Sequence, residues 1–173
     1  VFFITIEANY EAGFTEYYFI MVGLVDEDTE VDSKAIIYNL SANGLKGKVI
    51  DSLYYEPFRK ALYDQIISQK SLSDENNKLL FDRGRALRSS PEYKSSRVLN
   101  FDQSNTSLEY NGQYFFKVYR RLFSDANPDL ELTKFLSDEG HFKNSPRYGG
   151  SVSWVKNDFQ TISLGIMQEK IEN

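Results

Sequence analysis

Between Arg97 and Met167 the chain reads as strands interrupted once by a helix, and that interruption restricts the fold more than any other feature. Asn127-Pro128-Asp129-Leu130-Glu131 has the chemistry of a helix start. Asn suits the N-cap because its side-chain oxygen accepts an orphan backbone N–H. Pro suits the first helical position, where no N–H is needed, and an acid in the first turn meets the positive end of the helix dipole. The helix is expected to run to Glu139 and stop at Gly140, with Leu132, Phe135 and Leu136 facing inward. Before it, Arg97–Phe101, Ser107–Asn111 and Gln113–Arg120 read as three strands, the last two joined by the two-residue hairpin signal Asn111-Gly112. After it, Tyr148–Val155 and Phe159–Met167 pair across Lys156-Asn157-Asp158. The expectation is an antiparallel five-stranded sheet with one covering helix.

The first half reads as sheet followed by helix. Val1–Ala8 and Phe14–Val25 are rich in Phe, Tyr, Ile and Val, with turn residues between them. Asp26–Asp32 is an acidic, solvated loop, and Lys34–Leu40 resumes strand character. Asn43-Gly44 and Gly47 mark the next turn. Pro57 then opens a helix to Gln69, and Phe58, Ala61, Leu62 and Ile66 fall on one face at helical spacing. Lys70–Ser96 is polar and turn-rich, with Lys78–Phe81 as a short strand. Arg83, Arg85 and Arg88 within it read either as a small anion site or as a solvated loop. The subdomain boundary is placed near Ser89–Ser95, dividing the chain into residues 1–92 and 93–173.

Composition excludes several chemistries. The 173 residues contain no Cys, which removes disulfide frameworks, thiolate metal sites and thiol catalysis. A single His, His141, leaves no two-His metal motif and reads as a loop or packing residue. Twenty-five acids against twenty Lys and Arg give a net charge of −5, without the basic footprint of a nucleic-acid or membrane-surface binder. The charge divides as −4 over residues 1–95 and −1 over residues 96–173. No apolar stretch approaches the roughly 20 residues of a membrane helix, so a cytoplasmic chain is expected. The sequence starts and stops in strand-like residues, and it is expected to be part of a longer protein.

The order of three strands, one helix and two strands is that of a kinase-type N-terminal lobe. There, a Lys on the third strand contacts nucleotide phosphates and a Glu on the following helix positions it. Lys117 stands mid-strand in Tyr114-Phe115-Phe116-Lys117-Val118-Tyr119, on the same strand face as Phe115. An unpaired ammonium among aromatic residues is costly. Glu131, on the helix, is the expected partner; the alternative is a surface Lys whose stem lies along apolar neighbours. No acidic cluster suited to Mg²⁺ stands out, so no metal ligand is assigned.

Three segments carry a family resemblance. Asp102-Gln103-Ser104-Asn105-Thr106-Ser107, Phe116-Lys117-Val118-Tyr119-Arg120-Arg121-Leu122 and Asn127-Pro128-Asp129-Leu130-Glu131-Leu132 occur in order. Together they resemble bacterial maltokinases, including the kinase domain fused to trehalose synthase. Asn144-Ser145-Pro146 with Gly149-Gly150-Ser151, and Leu164-Gly165-Ile166-Met167-Gln168-Glu169, are similar to later segments of that family. The resemblance implies ATP-dependent phosphorylation of maltose to maltose 1-phosphate, with Mg²⁺ held by a second lobe absent from this chain. It implies that Lys117 contacts the α/β phosphates, that Glu131 orients it, and that Gln103, Ser104, Asn105, Thr106 and Ser107 form the phosphate-covering loop. It also implies that Met167, Gln168, Glu169 and Ile171 run along the adenine at the hinge.

On this reading the fold class is α+β: a cap subdomain of antiparallel strands with one main helix, then a protein-kinase-like N-lobe with one helix of the αC type. The chain by itself is expected to be inactive, and trehalose synthase is a candidate partner in cis or in trans. The competing reading is a non-catalytic module that docks to a trehalose synthase or α-amylase-type domain, or to glucan. Its 12 Tyr and single Trp154 offer stacking surfaces for sugars, or else pack the core.

Overall fold

The computed structural model describes residues 1–42, 44–99, 105–123, 127–140, 142, 144–156 and 160–171. β1 (Phe2–Ala8) and β2 (Glu16–Asp26) form the expected first hairpin, and β3 (Ile36–Ala42) and β4 (Leu45–Asp51) a second. β4 falls where only a turn was expected. Gly47, which suggested a break, permits close pairing instead: a Cβ there would stand 2.7 Å from the Val25 carbonyl oxygen. These strands form an antiparallel sheet in the order β1-β2-β4-β3.

α1 (Glu56–Ser68) starts with Pro57 in its first turn and ends at Gln69, which takes a left-handed conformation (φ 54°). Its inward face carries Phe58, Leu62 and Ile66, together with Arg59 and Tyr63, while Ala61 is exposed. Arg59 is buried by hydrogen bonding rather than ion pairing: its Nη1 donates to the Leu53 carbonyl (2.9 Å) and its Nε to Ser96 Oγ (2.8 Å).

The remaining strands are β5 (Leu72–Ser73), β6 (Asn77–Arg83), β7 (Ser96–Leu99), β8 (Asn105–Tyr110), β9 (Tyr114–Tyr119), β10 (Arg121–Leu122), β11 (Tyr148–Lys156) and β12 (Gln160–Glu169). α2 (Pro128–Asp138) lies between β10 and β11 in the chain. The second sheet runs β5-β6-β11-β12-β9-β8-β7, all antiparallel. It has seven strands where five were expected, because β5 and β6 extend it beyond β11. β10 crosses the other way and pairs with β2. Sheet membership therefore passes the position of residue 92 in both directions.

The second sheet has one face toward α1 and one toward α2. On the α1 face, Leu108, Tyr110, Phe116 and Val118 are fully buried. Tyr63 and Tyr110 bring their rings to 5.2 Å there, and the Tyr110 hydroxyl donates to the Arg59 carbonyl (3.0 Å). The first sheet joins this core through Phe3, Phe19 and Met21. Arg120 fastens the two sheets together: its guanidinium binds Asp51 at the end of β4 and Thr106 Oγ1 on β8. No helix is long and apolar enough to cross a membrane among the described residues.

Candidate active site

Cross-strand pairing sets one row of residues across the α2 face of the second sheet: Asp82 on β6, Ser151 on β11, Ile166 on β12, Lys117 on β9 and Ser107 on β8. α2 lies over this row and is tied to it by two ion pairs of opposite polarity. Lys134 Nζ meets Asp82 Oδ2 at 2.8 Å, and Lys117 Nζ meets Asp129 Oδ2 at 3.0 Å. Two further bonds hold the helix: Gln168 Nε2 donates to Thr133 Oγ1 (2.8 Å) and the Tyr148 N–H to Ser137 Oγ (3.0 Å).

The helix start is as expected, with the Asn127 side chain accepting from the Asp129 N–H and Pro128 in the first turn. Its rotation about its own axis is not. Leu132 and Phe135, expected inward, are 59% and 54% exposed, while Leu136 is half-buried. Four polar contacts from Asp129, Thr133, Lys134 and Ser137 turn that side to the sheet, so the opposite side faces outward.

The same rotation corrects the partner of Lys117. Glu131 lies about 200° around the helix from Asp129, so both acids cannot address one ammonium. Asp129 occupies the position, and Glu131 is exposed. Tyr119, two residues along β9, completes the group: the Lys117 ammonium stands 5.9 Å from its ring centroid. Burial first, then the neighbouring Asp129 carboxylate, raises the Tyr119 phenol well above its ordinary range. Asp129 and Tyr119 were not singled out from sequence. Period-two alternation along β9 points to Tyr119, and the first-turn acid that favours the helix start points to Asp129.

Of the expected phosphate-loop residues, Ser107 lies directly across from Lys117. Asn105 pairs with Tyr119 within a regular strand, not in a left-handed turn. Thr106 falls at the alternate position, and its hydroxyl accepts from Arg120 Nε at 2.8 Å. Gln103, Ser104, Asp102 and His141 lie outside the described residues. Of the expected hinge residues, Met167 is fully buried opposite Phe116, so its side chain belongs to the core. The Gln168 amide is engaged by Thr133, and Glu169 binds the Arg147 guanidinium, which holds its carboxyl below the usual range. Ile171 is exposed.

Next to this segment, Glu109 on β8 is buried between two cations, accepting from Arg97 Nε (2.6 Å) and Lys170 Nζ (2.8 Å). Arg97 first, then Lys170, holds this carboxyl below its ordinary value. Of the three arginines of the polar stretch, Arg85 and Arg88 line one pocket with Arg147, and Arg83 is not part of it. Arg83 donates to Ser90, Arg85 faces Asp138 at 3.6 Å, and Arg88 is exposed. No group of three or more His, Cys, Asp or Glu stands together as a metal site among the described residues.

No protein-family model matches this sequence. Among solved structures, a glucosamine kinase in complex with glucosamine, ADP and inorganic phosphate is similar to 91% of this chain, with a TM-score of 0.57 and 14% identity. The match covers 30% of that kinase, so the chain corresponds in fold to a part of it. At this identity the likeness is one of fold: a strand-rich, antiparallel chain with two helices, similar to part of a sugar kinase.

Proposed function

We propose that this chain supplies the nucleotide-binding lobe of a sugar phosphotransferase, with Lys117 as its phosphate contact. The observation that carries the reading is the setting of Lys117. It stands mid-strand in the interior of the sheet, only 37% exposed, and faces the helix inserted between β9 and β11. The order β7-β8-β9-β12-β11 with that helix supports the reading as a kinase-type N-lobe, where a Lys on the third strand contacts the phosphates. A single cation held by one carboxylate, with a hydroxyl across from it on Ser107, suits a phosphate oxygen. The ammonium can neutralise charge there, and preorganised positioning is most of what phosphoryl transfer requires.

When bound, ATP supplies the transferable phosphoryl group. This chain's residues bind and orient. Asp129 fixes the direction of the Lys117 ammonium, Ser107 offers an O–H, and the backbone from Glu169 to Ile171 runs out from β12 where a base would lie. Mg²⁺ is not assigned to any described side chain, and we place its ligands outside this lobe. The motif resemblance to maltokinases supports maltose as acceptor and maltose 1-phosphate as product. It also supports a link to trehalose synthase.

The test is an NMR titration of the 173-residue chain with MgADP. Shifts at Ser107, Lys117 and Glu169 are expected, with affinity reduced about tenfold or more in Lys117→Ala, as for loss of a charge-assisted contact. No shift at millimolar ADP, or the same affinity in the variant, would overturn the assignment.

A further inference from the structure

We propose that a cleft between the two sheets, away from α1, binds a neutral oligosaccharide, a function separate from the Lys117 site. Near α1 the space between the sheets is filled by Phe58, Leu62 and Ile66. Away from α1 the sheets enclose a cleft of about 460 Å³ that no α1 side chain lines. This is within the range of small-ligand sites, roughly 300–1,000 Å³.

Strand register builds both walls. On the first sheet Glu7, Tyr17 and Leu122 form one cross-strand row over β1, β2 and β10, with Thr5 beside it. On the second sheet the pairs Trp154–Ile162 and Lys156–Gln160 of β11 and β12 face them. Trp154 is held in place: its Nε1 donates to Asn77 Oδ1 (2.9 Å), and Asn77 Nδ2 donates to Asp74 Oδ1 (3.0 Å). Trp154 and Thr5 also line an adjoining cavity of about 640 Å³, so the cleft extends past the indole.

The lining specifies the ligand class. Tyr17, Phe123 and Trp154 bring aromatic rings to the cleft, and rings accept the C–H face of a pyranose. Glu7 accepts hydrogen bonds, Lys156 donates them, and Thr5 and Gln160 do both, which matches a rim of hydroxyls that each donate and accept. Glu7 and Lys156 carry opposite charges, so the lining of this cleft has no net charge to draw in a charged ligand. A purely hydrocarbon ligand would remove water from these polar groups, of which, among the described residues, only Glu7 has a hydrogen bond from within the chain (Asn9 Nδ2, 3.0 Å), at a cost in desolvation. The Lys156 ammonium lies over the indole, 5.7 Å from its centroid, so a donor stands at one face of the ring.

Trp154 is the chain's only tryptophan, so its fluorescence reports this cleft directly. Titrating the 173-residue chain with maltotriose and with cellotriose should give a saturable change in tryptophan emission for at least one of them. Gln160→Ala and Lys156→Ala should each weaken binding about tenfold, the effect of losing one or two hydrogen bonds. Lys117→Ala should leave sugar binding unchanged, and ADP should not compete, so failure here and failure of the phosphotransferase reading are separable. No saturable change at millimolar sugar would overturn the proposal. So would saturation by the apolar dye 8-anilinonaphthalene-1-sulfonate with no response to either trisaccharide, which would mark an apolar docking surface instead.

Discussion

Lys117 Nζ lies 3.0 Å from Asp129 Oδ2, joining an interior strand of the seven-stranded sheet to the first turn of the helix above it. The lysine is 37% and the aspartate 50% exposed, so the pair adds little to stability; exposed pairs contribute about 0–1 kcal/mol. Its consequence is direction, because the carboxylate fixes where the ammonium points.

Asp129→Asn should therefore lower the melting temperature by no more than a few degrees while weakening MgADP binding several-fold. Glu131→Gln should change neither, since Glu131 is exposed on the far side of α2. Thermal melts and NMR titration of the two variants check this. Equal effects from both would return Glu131 to the role of partner.

Glu109 gives a pH prediction. Arg97 and then Lys170 hold its folded-state carboxyl below the ordinary 4.5. A carboxyl lowered on folding contributes stability that is complete above the unfolded value and is lost as pH falls through the folded one. Stability should thus decline on acidification below pH 4.5, and Glu109→Gln should flatten that decline. At neutral pH the same variant should cost about 1 kcal/mol, because Arg97 is 68% and Lys170 32% exposed and water replaces much of the lost acceptor. Urea unfolding across this pH range measures both effects.

Arg59→Ala should be among the most destabilising single changes, by about 2–4 kcal/mol. It removes the donor that satisfies the buried Leu53 carbonyl and the guanidinium contact to Ser96 Oγ, which then keeps, among the described residues, only Tyr93 Oη at 2.7 Å. Arg59→Lys should rescue little of this, since one ammonium does not reproduce the planar fork that reaches both acceptors. A shift in the urea midpoint at constant slope is the expected readout.

Gly165→Ala tests the link between packing and the site. A Cβ at Gly165 would stand 2.7 Å from the Lys117 carbonyl oxygen and 2.8 Å from Phe116 Cζ, so β9 itself would have to move. The expected result is a loss of about 1–3 kcal/mol, the usual range for overpacking, together with weaker MgADP binding. Destabilisation with unaltered nucleotide affinity would show that Lys117 tolerates displacement of its strand.

The elements set by local chemistry were legible. Asn111 and Gly112 take positive φ (55° and 68°), as a two-residue hairpin turn requires, and Asn127 caps α2 through its side chain. The strands on either side of α2 follow their alternation. β4 was missed because Gly47 resembles a break when its close neighbour, the Val25 carbonyl, is not in view. Lys117 was legible as an ammonium out of place among aromatics. Its partner was not, because two acids in one helical turn are equivalent until the helix is rotated against a sheet.

The sequence by itself determined both helix starts, the Asn111-Gly112 turn and most of the strands, since caps, turns and alternation act within a few residues of the chain. Tertiary structure alone decided which acid meets Lys117, why Leu132 and Phe135 face outward, and that β6 joins the second sheet. Each of these depends on contacts between distant segments, such as Lys134 with Asp82, 52 residues apart. A rotation of α2 that satisfies four polar contacts at once is a property of the assembled sheet, and no local pattern within Pro128–Asp138 encodes it.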